Sequence, residues 1–429
     1  MLRISPVPVF ICYLFGPALV LASGQDAAVL GAPTTSAITL ADARRRAASL
    51  SPELQALKAQ ARAAEGAARQ ARAFANPDLA LEAEDFGGDK KLDVTPQNTV
   101  SLSQGIEWFG KRSARVAAAQ RGSEVAVRDL ARARRDLLAT VDRSFAELLG
   151  AQERAAITEH NAQTAREVTR AVSSLVAAGE VSPIEEARAQ GDEALAAIDL
   201  ANAVRDVDLA RRALARLWGD DAPSFSAAAG TLAATISLPD RDTARAGLAT
   251  LPDLTRWDAE AARQASLVTL ARRQALPDLA LSVGTRSYSG LPGRTYVAGL
   301  ALPIPLFTQF AGARAEAYAR QEQAKHERRA EEVRITVEFL SAYETLTRAI
   351  DESRALREDV LPTALKVYEA VNEGYRSGKY RLLDLLEARR ALGNARLRSV
   401  DALVRLQLAN ADLRRLLPDD TDNSIGVQQ

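Results

Sequence analysis

The sequence predicts a mainly α-helical protein with a small membrane β-barrel portion, too few strands to close within one chain. Three observations predict it. Charged residues make up 26% and aromatics only 5%, while Ala, Leu and Arg, all strong helix formers, are abundant. The chain opens on an export leader. It then runs through two similar copies, each of which interrupts its helices with a pair of alternating strands.

The leader comes first. Arg3 supplies a positive start, Val7 to Leu21 is largely apolar, and "LVLASGQ" offers small residues for cleavage after Ala22. The apolar run is shorter than the roughly 20 residues of a spanning helix, and Pro8 and Pro17 interrupt it. Residues 1–22 are therefore expected to be a signal peptide, followed by an N-terminal segment, 23–38. The one cysteine, Cys12, falls inside the leader, so no disulfide, thiol nucleophile or cysteine metal site is expected in the mature chain. His160 and His326 stand far apart and read as surface residues rather than ligands. The formal net charge is zero, which argues against a nucleic-acid partner. Beyond the leader no segment is long and apolar enough for a transmembrane helix, so insertion in a membrane would require a barrel.

The copies are legible by eye. "SPELQALKAQARAAEGAARQARAFANPDLAL" from Ser51 overlies "LPDLTRWDAEAARQASLVTLARRQALPDLAL" from Leu251 without a gap. "QGIEWFGKRSAR" meets "LPIPLFTQFAGAR", and "AAGEVSPIEEARAQ" meets "RSGKYRLLDLLEARR". The expected boundaries are 39–218 for the first copy, 219–238 for a linker, 239–417 for the second copy and 418–429 for a polar tail. A period this long excludes a short-repeat solenoid.

Each copy gives a helix, two strands, a very long helix, a glycine turn and a returning helix. The first long helix is expected over about Lys111 to Val176, on the order of 100 Å at 1.5 Å per residue. Leu130, Leu137, Val141, Phe145 and Leu148 recur at coiled-coil spacing, as do Val333, Val337, Leu340, Leu346 and Ile350. Both stripes read as packing surface. Pro362 is expected to kink or restart the second long helix.

Strands are expected at about 78–88, 97–107, 278–288 and 295–305. Leu79, Leu81 and Ala83 alternate with Ala80, Glu82 and Glu84. Val100, Leu102 and Ile106 alternate with Thr99, Ser101 and Ser103. Leu279, Leu281 and Val283 alternate with Ser282, Gly284 and Arg286. Apolar outward and polar or small inward is the pattern of a membrane barrel, which would place Glu82, Glu84 and Arg286 toward the lumen. Trp108, Phe109 and Phe307 mark the helix-side ends, and Phe86, Tyr288 and Tyr296 belong to the same expected aromatic girdle. The alternative is a pair of hairpins covering a soluble helical core. Four strands cannot close a barrel, and open edges in lipid would leave backbone groups unpaired. Copies of the chain must then share one barrel, with eight strands from a dimer or twelve from a trimer.

With these motifs assembled, the chain resembles the TolC family of outer-membrane efflux proteins over nearly its whole mature length. "NPDLALEAEDFGG" and "LSQGIEWFGKR" are most similar to its heavy-metal branch, the CzcC and CusC type. The resemblance implies a homotrimer in the outer membrane of a Gram-negative bacterium, with a shared twelve-stranded barrel and an α-helical tunnel through the periplasm. It implies two protein partners, a periplasmic adaptor and an inner-membrane pump of the resistance-nodulation-division type. It implies that Gly179, Val181, Ser182, Glu185, Gly378 and Leu383 form tips that meet the adaptor. It also implies that Tyr375, Tyr380, Arg381, Asp384 and Glu387 close the periplasmic end. Tyr380 stands where relatives often have arginine. Asp384 and Glu387 share a helix face, and three-fold symmetry would gather six carboxylates, a ring that favours cations. The function expected is a passive exit duct, neither enzyme nor cofactor-dependent, with metal cations as cargo. Organic molecules are the alternative cargo, and a periplasmic coiled-coil adaptor or scaffold is the alternative class.

Overall fold

The computed structural model describes residues 37–86, 95–233, 236–307 and 309–418. The expected signal peptide, nearly all of segment 23–38, the "GGDKK" turn and the tail beyond Pro418 lie outside the described residues.

Strand β1 (Ile38–Thr39) leads into α1 (Leu40–Leu50), where the Thr39 side chain accepts the Asp42 N–H and caps the helix. Helix α2 (Pro52–Ala71) starts on a proline, which loses no hydrogen bond in a first turn. Strands β2 (Asp78–Glu84) and β3 (Gln97–Ile106) follow, then α3 (Lys111–Ala177). Its 67 residues give about 100 Å of unbroken helix. Helix α4 (Pro183–Ala215) returns, and β4 (Ala228–Ala229) pairs in parallel with β1. The second copy supplies α5 (Arg241–Gly247), α6 (Pro252–Gln274), β5 (Leu279–Tyr288) and β6 (Arg294–Ala301). Then come α7 (Ala311–Ala355), α8 (Leu361–Arg376) and α9 (Leu382–Arg415).

Between α7 and α8 lies a five-residue π turn, Leu356–Val360. Pro362 follows it, and a proline has no N–H to give to the preceding turn, so the ladder widens where the sequence predicts an interruption. The strand ends differ from expectation. β2 stops at Glu84 because Asp85 turns left-handed, with φ 59°. β6 stops at Ala301, because Pro303 and Pro305 cannot donate to a ladder.

The two hairpins form a single antiparallel sheet, in the order β2-β3-β5-β6. The central pairing joins the copies, from Gln97 opposite Tyr288 to Ile106 opposite Leu279. Away from the sheet, two apolar cores flank the middle of the long helices. One gathers Leu54, Val141, Phe145, Leu148, Leu214 and Trp218; the other gathers Leu251, Ile335, Phe339, Leu346, Leu413 and Leu416. The stripe predicted on α7 is only partly right. Leu346 is buried and Leu340 and Ile350 pack against the second core, beside the unpredicted Ile335 and Phe339, whereas Val333 and Val337 lie on a face that none of the described residues covers.

A charged node ties four helices together beside the second core. Asp253, in the first turn of α6, is 2% exposed. It faces Arg132 of α3 at 3.0 Å, Arg415 of α9 at 3.6 Å and Arg334 of α7 at 3.9 Å. Glu331, Asp136 and Glu338 complete the charge balance around the same guanidiniums.

Candidate functional site: the sheet and the hairpin tips

The sheet has two unlike faces. Leu79, Leu102, Val283 and Ala298 stand in register across the four strands, as do Leu81, Val100, Thr285 and Tyr296. These rows are uncovered: Leu81 is 73% exposed and Tyr296 89%. The opposite face carries Glu82, Thr99, Arg286 and Thr295 in one row. Arg286 Nε donates to Thr99 Oγ1 at 2.9 Å, and its Nη2 lies 3.6 Å from Glu84. The two glutamates thus share their face with a cation, and its charge is more nearly balanced than they alone would suggest.

Trp108, Phe109, Phe307 and Phe86 are all exposed, consistent in position with the ends of the sheet. Tyr288 differs from the expected girdle. Register puts it on the face of Arg286 and Glu84, because it follows Arg286 by two residues, so it does not share the apolar face with Tyr296. At the helix-side junction the sequence reading missed Lys111. This nearly buried lysine, the first residue of α3, pairs with Asp278 at 2.9 Å and ties the first copy to the start of β5. Its signal was present in the "FGKR" motif, but its partner lies across the duplication.

The tips are built alike. Gly179 and Gly378 have φ of 75° and 74°, a left-handed turn that only glycine adopts without strain. The Glu180 N–H reaches back to Leu175, and the Lys379 N–H to Gly374. Ser182 caps α4 by accepting the Ile184 N–H. Asp384 does the corresponding task for α9, accepting the Arg381 N–H at 2.9 Å. Tyr380 lays its ring over Gly374, where a Cβ would come within 2.2 Å of it.

Among the residues expected at the closed end, Tyr375 packs into an apolar cluster with Val172, Val181, Ala189, Leu382 and Leu386. Burial, together with the negative charge of Glu185, holds its phenol above the ordinary tyrosine range, so it remains a proton donor at neutral pH. Glu185, expected at a tip, is therefore a neighbour of Tyr375. Glu387 and Leu383 are exposed, one turn apart on α9. Asp384 is committed in part to its capping bond, leaving Glu387 the freer carboxylate. Just above the cluster, Asp192 of α4 meets Arg389 and Arg390 of α9, a contact the sequence reading did not anticipate. No group of His, Cys, Asp and Glu suited to a metal ion occurs among the described residues.

A sheet with uncovered, mainly apolar rows along one face and with both outer edges unpaired among the described residues, set on helices about 100 Å long, defines the protomer of an outer-membrane channel. The chain belongs to the outer membrane efflux protein family, whose model matches residues 43–220 and 243–418, once per copy. It is similar to the cobalt-zinc-cadmium resistance protein CzcC of Cupriavidus metallidurans, 33% identical over 380 residues, which cover 89% of this chain and 90% of that one. Among solved structures, CusC superposes with a TM-score of 0.76 at 17% identity, over 89% of this chain and 92% of its own. VceC of Vibrio cholerae gives 0.73 at 21%, over 88% and 95%. The fold is TolC-like, and the protein is an outer-membrane efflux channel with its helices in the periplasm.

Proposed function

We propose that three copies of this chain form one duct that exports heavy-metal cations, passively, as the outer component of a tripartite pump. The observation that carries the cargo is the 33% identity to CzcC over nine-tenths of both chains. A twelve-stranded barrel follows from four strands per copy with unpaired edges, since an edge in lipid costs several kcal/mol per unpaired group. The uncovered Val333 and Val337, with exposed Leu195 and Ile198 on α4, supply the apolar surface by which neighbouring copies meet.

In this reading the tips around Gly179 and Gly378 meet a periplasmic adaptor, and α8–α9 closes the periplasmic end. Tyr375 anchors that hairpin in its apolar cluster. Asp384 and Glu387 of each copy face the axis as an acidic ring. An inner-membrane pump of the resistance-nodulation-division type supplies the energy; the duct supplies a path and a cation preference.

The test is electrical and cellular. Asp384→Asn with Glu387→Gln, reconstituted in planar bilayers, is expected to raise resting conductance and lower cation selectivity. Conductance and selectivity equal to wild type would remove the acidic gate. Expressed with its adaptor and pump in a sensitised host, the channel is expected to lower cobalt, zinc or cadmium accumulation. Protection against organic compounds with no effect on any metal would reassign the cargo.

A further inference from the structure

We propose that Arg286 keeps the loop-side mouth of the duct from retaining the cations that pass it, by placing a fixed positive charge beside two carboxylates that would otherwise hold a divalent ion. The inference deepens the duct reading and rests on it.

The charges are gathered at one end of the sheet face that the duct reading turns inward. Between Asp78 at the helix-side end and Glu82, that face carries a row of small or uncharged side chains, Ala80, Ser101, Gly284 and Val297. Charge returns at the loop-side end with Glu82, Glu84 and Arg286. The two glutamates lie two residues apart on β2, so they point the same way from positions about 7 Å apart. Both are exposed. Carboxylate oxygens at such spacing are ligands of the kind that divalent cations take. A duct that exports cations has to pass them without holding them, because conduction needs every site along the way to be weak enough to leave.

Arg286 is placed to supply that weakness. It stands on β5, and its side chain reaches across β3 to β2. Thr99 of β3, 5% exposed, lies opposite Arg286 and accepts from its Nε at 2.9 Å, which fixes the guanidinium. Nη2 then lies 3.6 Å from Glu84 Oε2. An ion held by the two glutamates would sit on the order of 6 Å from this cation, where even the dielectric of water leaves a repulsion worth about tenfold in affinity. Two carboxylates and one guanidinium leave one net negative charge per chain among these three residues, a bias toward cations without a trap for them. The arrangement is not inherited from either copy. Ser282 and Gly284 stand where the first copy has Glu82 and Glu84, and Phe86 stands where the second has Arg286. The acids come from one copy and the base from the other, and the pairing of β3 with β5 brings them together.

The experiment uses the full-length oligomer, purified from outer membranes in detergent, and equilibrium dialysis against cadmium. Arg286→Gln is expected to bind cadmium about tenfold more tightly than wild type. Arg286→Lys, which keeps the charge, is expected to bind like wild type. Arg286→Gln combined with Glu82→Gln and Glu84→Gln is expected to lose the gain. Identical isotherms for wild type and Arg286→Gln would overturn the inference, as would tight binding by Arg286→Lys or a gain that survives removal of both glutamates. A second arm leaves Arg286 in place. Glu82→Gln with Glu84→Gln, recorded in planar bilayers with adaptor present, removes the acids and leaves the guanidinium alone at that end of the wall. Twelve strands about 4.8 Å apart and tilted about 40° put the wall on the order of 12 Å from the axis, just beyond the screening length of about 8–10 Å, so the cation-to-anion permeability ratio is expected to fall only about twofold. An unchanged ratio would count against Arg286 as a charge in the lumen, and this arm decides if Arg286→Gln fails to assemble. Dialysis needs no open channel, so the two readings fail separately. A conducting wild type with no change in cadmium binding on Arg286→Gln leaves the duct standing and removes the role of Arg286. A wild type that never conducts with adaptor present sinks the duct reading, and the purpose assigned to Arg286 falls with it.

Discussion

The duplication offers a controlled measurement, because one position occurs twice in different surroundings. Asp253 and Glu53 follow the first proline of α6 and α2, the same place in each copy. Asp253 is 2% exposed and faces three guanidiniums, whereas Glu53 is exposed to solvent. Asp253→Asn removes the central charge of the node and leaves Arg132, Arg334 and Arg415 facing one another. Breaking a buried pair costs about 3–5 kcal/mol. Here the lower end, about 3 kcal/mol, is expected. Arg132 and Arg334 are 34% and 45% exposed, so water screens part of the loss. Arg415, at 15% exposed, retains Asp136 and Glu338. Glu53→Gln is expected to change nothing measurable. The assay is thermal dissociation and unfolding of the detergent-solubilised oligomer, followed by near-UV circular dichroism and native electrophoresis. Equal effects of the two substitutions would refute the argument that tertiary surroundings, rather than the local sequence, set the value of this carboxylate.

Two further outcomes follow from named contacts. Gly374→Ala places a methyl group against the Tyr380 ring, which is 41% exposed and free to swing outward. A loss of about 1–3 kcal/mol is expected, with faster proteolysis at the second tip and none at Gly179. Acid should weaken the charged node. Arg334 holds Glu331 below its ordinary value of 4.5 by hydrogen bonding. A depressed carboxylate contributes stability above its unfolded pKa and loses it as pH falls through the folded one. The melting temperature should therefore drop as pH falls below about 4.5, and Glu331→Gln should flatten that profile; an unflattened profile would assign the acid sensitivity elsewhere.

Much of the architecture was open to inspection in the chain itself. Two proline-led "PDLAL" segments, alternating apolar residues and glycine-punctuated helices specify a helical protein with two strand pairs, because local periodicity and turn chemistry act over a few residues. Glycines 179 and 378 were legible for the same reason: the left-handed turn is a property of the residue that occupies it. Other features needed the folded chain. That β3 of the first copy pairs with β5 of the second, setting Thr99 opposite Arg286, was decided by pairing with a distant strand. Val333 and Val337 share the periodicity of Leu346, yet only packing selects which face of α7 is covered by this chain. Lys111 with Asp278, Glu185 beside Tyr375, and Asp192 with Arg389 join residues more than 160 positions apart. Charge pairing has no periodic trace in a sequence. It is created when helices from two copies are brought side by side, and so the sequence alone determined the parts and their repetition, while tertiary structure decided which charges meet.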